Sequence, residues 1–415
     1  MRSPVIVAAV CAAAVGLASY AAAQRGGRGA QPPAPPDLIK PLVDRLDLAR
    51  YKATIKGLTQ FGDRRQGTDR NRAAVDWIEA QLKSYGCSNV ERLKYEYKTP
   101  PPNPGRGTPP AARGTGPNGN ILEPLATSSG GGRPRGIRTR TGVNTDPNRQ
   151  PDEKLRALNM QPATDGPRQE VYCTKIGATH PEEMYIVGAH MDGHGWGEAA
   201  NDDGSGTALV LELARIFNGA DVQTDRSIRF ALWNNEETGL GGSRAYAEQR
   251  KGLQGKEDPP RSGRYPEPKW LGMIQHDMML FDHGAPRPDG TMSKEQRPEA
   301  DVNVEFQIDS KKAADSQALA WVLQRANEKY ATDYPAAVGS HMTNTDSTPF
   351  MDDVAAISVR ENERGTQIGN GWDPQWHQPT DVFTTYNDKD FRLGLNAAQT
   401  TLSAVAQLTG ARLEK

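Results

Sequence analysis

The sequence predicts a three-layer α/β fold, with helices on both sides of a central mixed, mostly parallel sheet. Two observations carry this expectation. From Met184 onward, short apolar runs alternate with helical segments: MYIVGAH, GTALVLELARIF, then SIRFALW. These runs also repeatedly end in His, Asp or Glu, the placement expected of functional groups at the strand ends of such a sheet. At 415 residues the chain can form one large α/β domain or two ordinary ones.

The amino terminus reads as a leader. Arg2 precedes an apolar run from Val5 to Leu17, and Tyr20 and three alanines follow before Gln24. This pattern predicts a signal peptide over residues 1–23 and export to the periplasm or the extracellular space. The run is shorter than the ~20 residues of a spanning helix, so no stable membrane insertion is expected after cleavage. Cys11 lacks a lipid-attachment context.

Residues 24–37, rich in Gly, Arg and Pro, read as a disordered linker, and 38–412 as the folded domain. In that domain Thr68 caps a helix from Asp69, with Val75, Ile78, Leu82 and Tyr85 on one face and Gly86 as its stop. Alternation over Val90–Tyr97 predicts a strand. A Pro/Gly-rich stretch without one aromatic residue, at about 99–168, reads as an insertion between two strands, expected at a cleft rim where it limits access. Shorter inserts are expected at Lys251–Lys269 and Asp282–Ala300. Strands are expected from Glu170, from Met184, in GMIQHDMM and at Val354–Val359. Further helices are expected near Gly242, in ADSQALAWVLQRANEKY and over Asp388–Leu408.

Charge excludes some partners. With 50 basic and 51 acidic residues the net charge is −1, which favours neither nucleic acid nor an anionic membrane, and the Arg-Gly steps of the linker fit a solvated tether. Only Cys87 and Cys173 remain after the leader, both in stretches read as strand. An oxidising compartment would let them pair, a point the sequence leaves open. Two cysteines are too few for a thiolate zinc site of the usual kind, so any metal must use His and carboxylate.

All seven histidines lie at or after His180, and five segments there place a metal-type residue at a strand end or helix start: GAHMDG, ANDDGSG, NNEETG, QHDMM and WHQPTD. A hydrolytic pair of zinc ions about 3.5–4 Å apart needs imidazole and carboxylate ligands with one carboxylate shared. His190, Asp202, Glu237, Asp277 and His377 supply that set. Glu236 and Glu237 are neighbours that would point opposite ways on an extended backbone, one toward metal and one toward substrate. Asp202 stands just ahead of a helix-opening Gly-Ser-Gly, whose free N–H groups would steady a carboxylate shared by two cations. Asp192, two residues from His190, is placed to accept the second imidazole N–H.

The stretches IVGAHMDG, NDDGSGTALVLELAR, LWNNEETGLGGSRAYAE, HDM and HQPTD resemble the M28 family of zinc aminopeptidases, in that family's order, from about Leu46 to the carboxyl terminus. The resemblance implies two zinc ions (Zn2+) and peptide substrates. It places His190 and Asp277 on one ion, Glu237 and His377 on the other, and Asp202 between them. Glu236 then corresponds to the general base, Asp192 to the partner of His190, and Asp346, in TDSTPF, to a support for His377. The chain departs from the family around Asp277, where many relatives have Asn two positions before and Gly three after, and where His276 could compete for metal. His194, His283 and His341 have no counterpart and are expected in surface or loop roles. Arg360 and Arg364 are read as surface ion-pairing groups with Glu361 or Glu363; turned toward the site, they would instead clamp a substrate carboxylate, as in a carboxypeptidase. A single-zinc glutaminyl cyclase is the other alternative, and a binding module with a vestigial site a third.

Overall fold

Eight β-prone runs pair into one sheet. In chain order they are β1 (Glu91–Tyr97), β2 (Gly166–Lys175), β3 (His180–His190), β4 (Arg226–Trp233), β5 (Lys269–His276), β6 (Val302–Phe306), β7 (Ala336–Gly339) and β8 (Ala356–Glu361). Their spatial order is β1-β2-β4-β3-β5-β8-β6-β7. The computed structural model describes residues 36–99, 121–122, 139–140, 143–281, 302–340, 345–361, 373 and 375–414. The predicted leader, all but the last two residues of the linker, much of the 99–168 insertion, the Asp282–Ala300 insert, His283, His341, Glu363 and Arg364 lie outside these residues.

Pairing is parallel for β4/β3, β3/β5, β5/β8 and β6/β7, and antiparallel for β1/β2, β2/β4 and β8/β6. The parallel block β4-β3-β5-β8 is buried on both faces, as near-continuous apolar runs require. Its register aligns His190 with Trp233, Ala189 with His276, and Val359 with His276. Four carboxyl ends are thereby brought to one edge, and the loops leaving them carry most of the predicted site.

Helices α1 (Leu48–Thr59), α2 (Asp69–Ser84), α4 (Gly204–Phe217), α6 (Ala313–Tyr330) and α7 (Asp388–Thr409) share the larger apolar cluster, with Tyr51, Ile78, Leu209, Leu323 and Leu402 buried in it. A second cluster on Trp233, Tyr246, Trp270, Met273 and Phe350 seats α5 (Gly241–Arg250). Between α2 and α4 in sequence lies the short α3 (Glu153–Asn159). Thr68 accepts from Asn71 N–H at the start of α2, as predicted, and Asn387 and Asp390 form a capping box on α7. No helix among the described residues is long and apolar enough to cross a membrane.

Four features differ from the sequence reading. Strands β6 and β7 were not expected: each is short, and β7 (AAVG) has no alternation to read. Helix α1 also escaped, although Tyr51, Ile55 and Leu58 are spaced for one buried face. Residues 143–165 of the insertion contain a 3-10 turn and α3 rather than a featureless loop. Cys87 lies in the turn after α2 rather than in a strand, and it is disulfide-bonded to Cys173 of β2.

The cross-link spans 86 residues. Replacing both cysteines by serine is expected to cost about 2–5 kcal/mol of unfolding free energy through the freer unfolded chain. Denaturant titration of wild type and the Cys87→Ser/Cys173→Ser variant under non-reducing conditions checks this, and coincident midpoints would contradict it.

Candidate metal centre

His190 closes β3, and its side chain is almost wholly buried. Nε2 faces Asp202 Oδ1 at 3.2 Å and Asp277 Oδ1 at 3.8 Å. The other oxygen of Asp202, Oδ2, lies 2.9 Å from His377 Nε2, which in turn lies 2.9 Å from Glu237 Oε2. The five predicted ligands are therefore connected through short contacts, and Asp202 divides its two oxygens between the two histidines.

The turn around Asp202 is set by its neighbours. Asp203, not Asp202, caps α4: its Oδ1 accepts from Gly206 N–H at 2.9 Å and Met278 N–H at 3.2 Å, and its Oδ2 from His190 N–H at 3.1 Å. With the helix amides engaged by Asp203, Asp202 is turned toward the histidines. Asp381, the last residue of HQPTD, accepts from the backbone N–H of Asn201 at 2.8 Å and of Asp202 at 3.2 Å. One short motif thus supplies His377 and anchors the carboxylate opposite it.

Other predicted residues fall differently. Asp192 was expected to hold His190 Nδ1 through its carboxylate, but its backbone carbonyl does so at 3.0 Å, with Oδ1 at 3.9 Å. The carboxylate instead accepts from Glu236 N–H at 3.0 Å and so fixes the backbone of the predicted base. Asp346 was expected beside His377; it accepts from Ser243 Oγ and faces Gln275 Nε2 at 3.4 Å, while His377 Nδ1 has no hydrogen-bond partner among the described residues. His276 does not compete for metal. It projects away from Asp277, with Nδ1 3.1 Å from Gly188 O and Nε2 2.8 Å from Thr401 Oγ1. Arg360 is buried rather than on the surface, its Nη2 3.9 Å from Asp277 Oδ1.

His194, expected in a loop role, does lie in a loop, but that loop enters the site: Nε2 is 3.0 Å from Glu237 Oε2, and its ring meets the edge of His377 at a centroid distance of 4.0 Å. The sequence held a signal, since His194 follows His190 by four residues in the same strand-end loop. The buried Arg64, also not anticipated, holds this loop from below through Met191 O and Ala199 O at 2.7 Å each and Glu198 O at 2.8 Å. Residues 144–150 of the insertion tie the two histidine loops together. Asn144 donates from its backbone to His377 O and from its side chain to Gly195 O, and Gln150 Nε2 donates to both Trp196 O and Pro379 O.

Electrostatics match a cation site. Burial alone would raise the Asp202 carboxyl, but the facing imidazoles of His190 and His377 outweigh it and hold the group below the usual carboxylate range. Burial opposes charge on His377, yet Glu237 and Asp202 carry it up to about 10. Burial raises the Glu236 carboxyl well above the ordinary range, against the pull of His190. It likewise pushes Asp192 up to about 6 and Asp346 up to about 7, and it pushes His276 down to about 4. Imidazoles facing carboxylates in this way can hold protons that a metal ion would displace. Buried Asp202 Oδ2, Glu237 Oε1 and His194 Nε2 have no hydrogen-bond partner among the described residues. Orphaned oxygen and imidazole donors in one place fit a zinc centre.

A carboxylate and imidazole centre at the carboxyl edge of a parallel sheet, with a half-buried glutamate beside it, is the layout of a hydrolytic α/β enzyme. The chain belongs to peptidase family M28, whose model matches residues 171–400. Over 69 residues it is 42% identical to aminopeptidase YwaD of Bacillus subtilis, a stretch covering 17% of this chain and 14% of that protein. Over 76 residues it is 33% identical to carboxypeptidase Q of Xenopus laevis, covering 18% and 16% respectively. The chain therefore spans only a small part of these curated relatives. Among solved structures, a zinc aminopeptidase from Bacillus subtilis superposes with a TM-score of 0.56 at 15% identity, over 88% of this chain and 96% of that one. A glutaminyl cyclase from Porphyromonas gingivalis gives 0.53 at 16%, over 88% and 99%. At these identities the structural likeness is one of fold.

Gly195 is where the two histidine loops touch. Its φ is +100°, and a Cβ there would lie 2.4 Å from the carbonyl carbon of His377 and 2.5 Å from its oxygen. Gly195→Ala is expected to push His377 out of place and lower zinc affinity by at least ~10-fold, the scale seen when support of a ligand is lost. Zinc titration against a competing chelator measures this, and unchanged affinity would contradict it.

Proposed function

We propose that this chain is an exported di-zinc metallopeptidase that releases single residues from the amino termini of peptides. The observation carrying the two-ion reading is Asp202, whose oxygens lie 3.2 Å from His190 Nε2 and 2.9 Å from His377 Nε2. A carboxylate shared in this way suits two neighbouring cations better than one. His190, Asp202 and Asp277 would hold one ion, and Glu237, His377 and the same Asp202 the other. Bound there, zinc would supply Lewis-acid polarisation of the scissile carbonyl and a water acidified to near neutrality.

The remaining chemistry belongs to the chain. Glu236 takes the proton from the attacking water and returns it to the departing amine, so one carboxyl serves as base and then acid. Its elevated affinity for a proton, caused by burial, suits it to the return step. Asp192 acts on its position, fixing the Glu236 backbone N–H.

Aminopeptidase action is favoured by the similarity to aminopeptidase YwaD of Bacillus subtilis. The carboxypeptidase alternative rests on Arg360 and Arg364: Arg360 is turned toward the site but faces Asp277, which already occupies its charge, and Arg364 lies outside the described residues. A glutaminyl cyclase holding one zinc is separated by metal count. Export is supported by the leader-like amino terminus and by the Cys87–Cys173 disulfide, which suits an oxidising compartment.

Glu236→Gln is expected to keep both ions and lose about 10²–10⁴-fold in kcat on an aminoacyl nitroanilide. Asp202→Ala is expected to lose metal as well as turnover. Elemental analysis alongside the assay separates the two, and a fully active Glu236→Gln enzyme would overturn the assignment. Peptides with free amino termini should be cut and amino-blocked ones spared; cleavage of blocked peptides from the carboxyl end would establish the carboxypeptidase alternative instead.

A further inference from the structure

We propose that His194 is an additional zinc ligand, closing the Glu237/His377 position with a fourth protein donor. The inference rests on the two-zinc reading and extends it to a residue outside the five expected ligands. Ligand atoms of His194, Glu237 and His377 all lie within 4.8 Å of one another, as do those of His190, Asp202 and Glu237. His194 Nε2 and His377 Nε2 approach the same oxygen, Glu237 Oε2, at 3.0 and 2.9 Å. Bonds of about 2.0–2.1 Å to a tetrahedral zinc put neighbouring ligand atoms about 3.3 Å apart. The donors therefore already stand near the spacing of one coordination shell.

A simple ion pair between His194 and Glu237 explains the site less well. Their atoms are 3.0 Å apart, yet Nε2 makes no hydrogen bond to Glu237 or to any other described residue. Two polar atoms that approach closely without aligning on each other are arranged for a third body. Nor is His194 placed by chance on a loose loop. Arg64 holds the loop at Met191, Glu198 and Ala199, Asn159 Nδ2 donates to Gly197 O at 2.8 Å, and Gly195 abuts the His377 backbone.

The consequence is an asymmetric pair. His194, His377, Glu237 and the shared Asp202 give four protein donors, as in a closed structural zinc site. His190, Asp202 and Asp277 give three and leave a position open, as in a catalytic one. The ion beside His194 is then the tightly held, slowly exchanging one, and the substrate approaches from the His190 side.

Cobalt(II) titration of the metal-stripped full chain tests this, with visible absorption as the readout and His180→Gln, an exposed histidine paired with Glu182, as control. Circular dichroism of the metal-free forms verifies that folding is retained. Wild type and His180→Gln should take up two ions per chain, while His194→Gln should bind one of them at least ~10-fold more weakly, with a diminished four-coordinate absorption band. Superimposable affinities and spectra for wild type and His194→Gln would overturn the His194 assignment and leave the two-ion reading standing. A wild-type chain that binds no cobalt or zinc would overturn both.

Discussion

Carboxylates brought together out of water repel one another unless cations or aligned N–H groups intervene. At the carboxyl edge of β3, β4 and β5 the chain gathers Asp192, Asp202, Asp203, Glu236, Glu237 and Asp277, and the surrounding architecture accommodates that density. Some of these charges are satisfied by the backbone. Asp203 takes the first turn of α4 and the N–H groups of His190 and Met278, and Asp192 takes the N–H of Glu236. Those left facing inward, Asp202 and Glu237 above all, meet imidazoles. Satisfied carboxylates build the frame, and the inward-facing ones form the cation site.

The frame is rigid because its loops are tied to one another as well as to the sheet. Arg64 is buried, and its guanidinium donates to carbonyls of the loop that carries His194. Burial opposes its charge, and Asp381 and Asp63 support it. The insertion adds a second tie, Asn144 and Gln150 each bonding both histidine loops. A segment read as an insertion limiting access at a cleft rim thus also bears on ligand geometry. Ligands on loops held this way lose little freedom when an ion arrives, which favours tight binding.

Membership of family M28 and the sheet architecture agree with the peptidase chemistry that the donor set supports. The environment of Asp277 is built by its neighbours. Arg360 faces its carboxylate, Gln275 bonds Trp233 Nε1, and His276 is turned into the core by Gly188 and Thr401. Strand alternation explains the division: consecutive side chains of β5 and its extension point to opposite faces, so His276 packs while Asp277 reaches the centre.

Alternating apolar runs were enough to read the layered fold, and residues at strand ends were enough to nominate His190, Asp202, Glu236, Glu237, Asp277 and His377, because both patterns are local and periodic. Short β6 and β7 lacked that periodicity, and their pairing depended on neighbours distant in sequence. The sequence likewise left the Cys87–Cys173 pairing open, and it could not reveal that Asp346 serves Ser243 rather than His377, or that Asp192 steadies Glu236. Those outcomes depend on which loops meet at the sheet edge. His194 is the clearest case: its spacing from His190 places it in the strand-end loop, but its contact with Glu237 depends on how that loop packs against the His377 loop at Gly195. Side-chain type and strand phase are written along the chain, whereas the partner of a loop residue is chosen by packing between segments far apart in it.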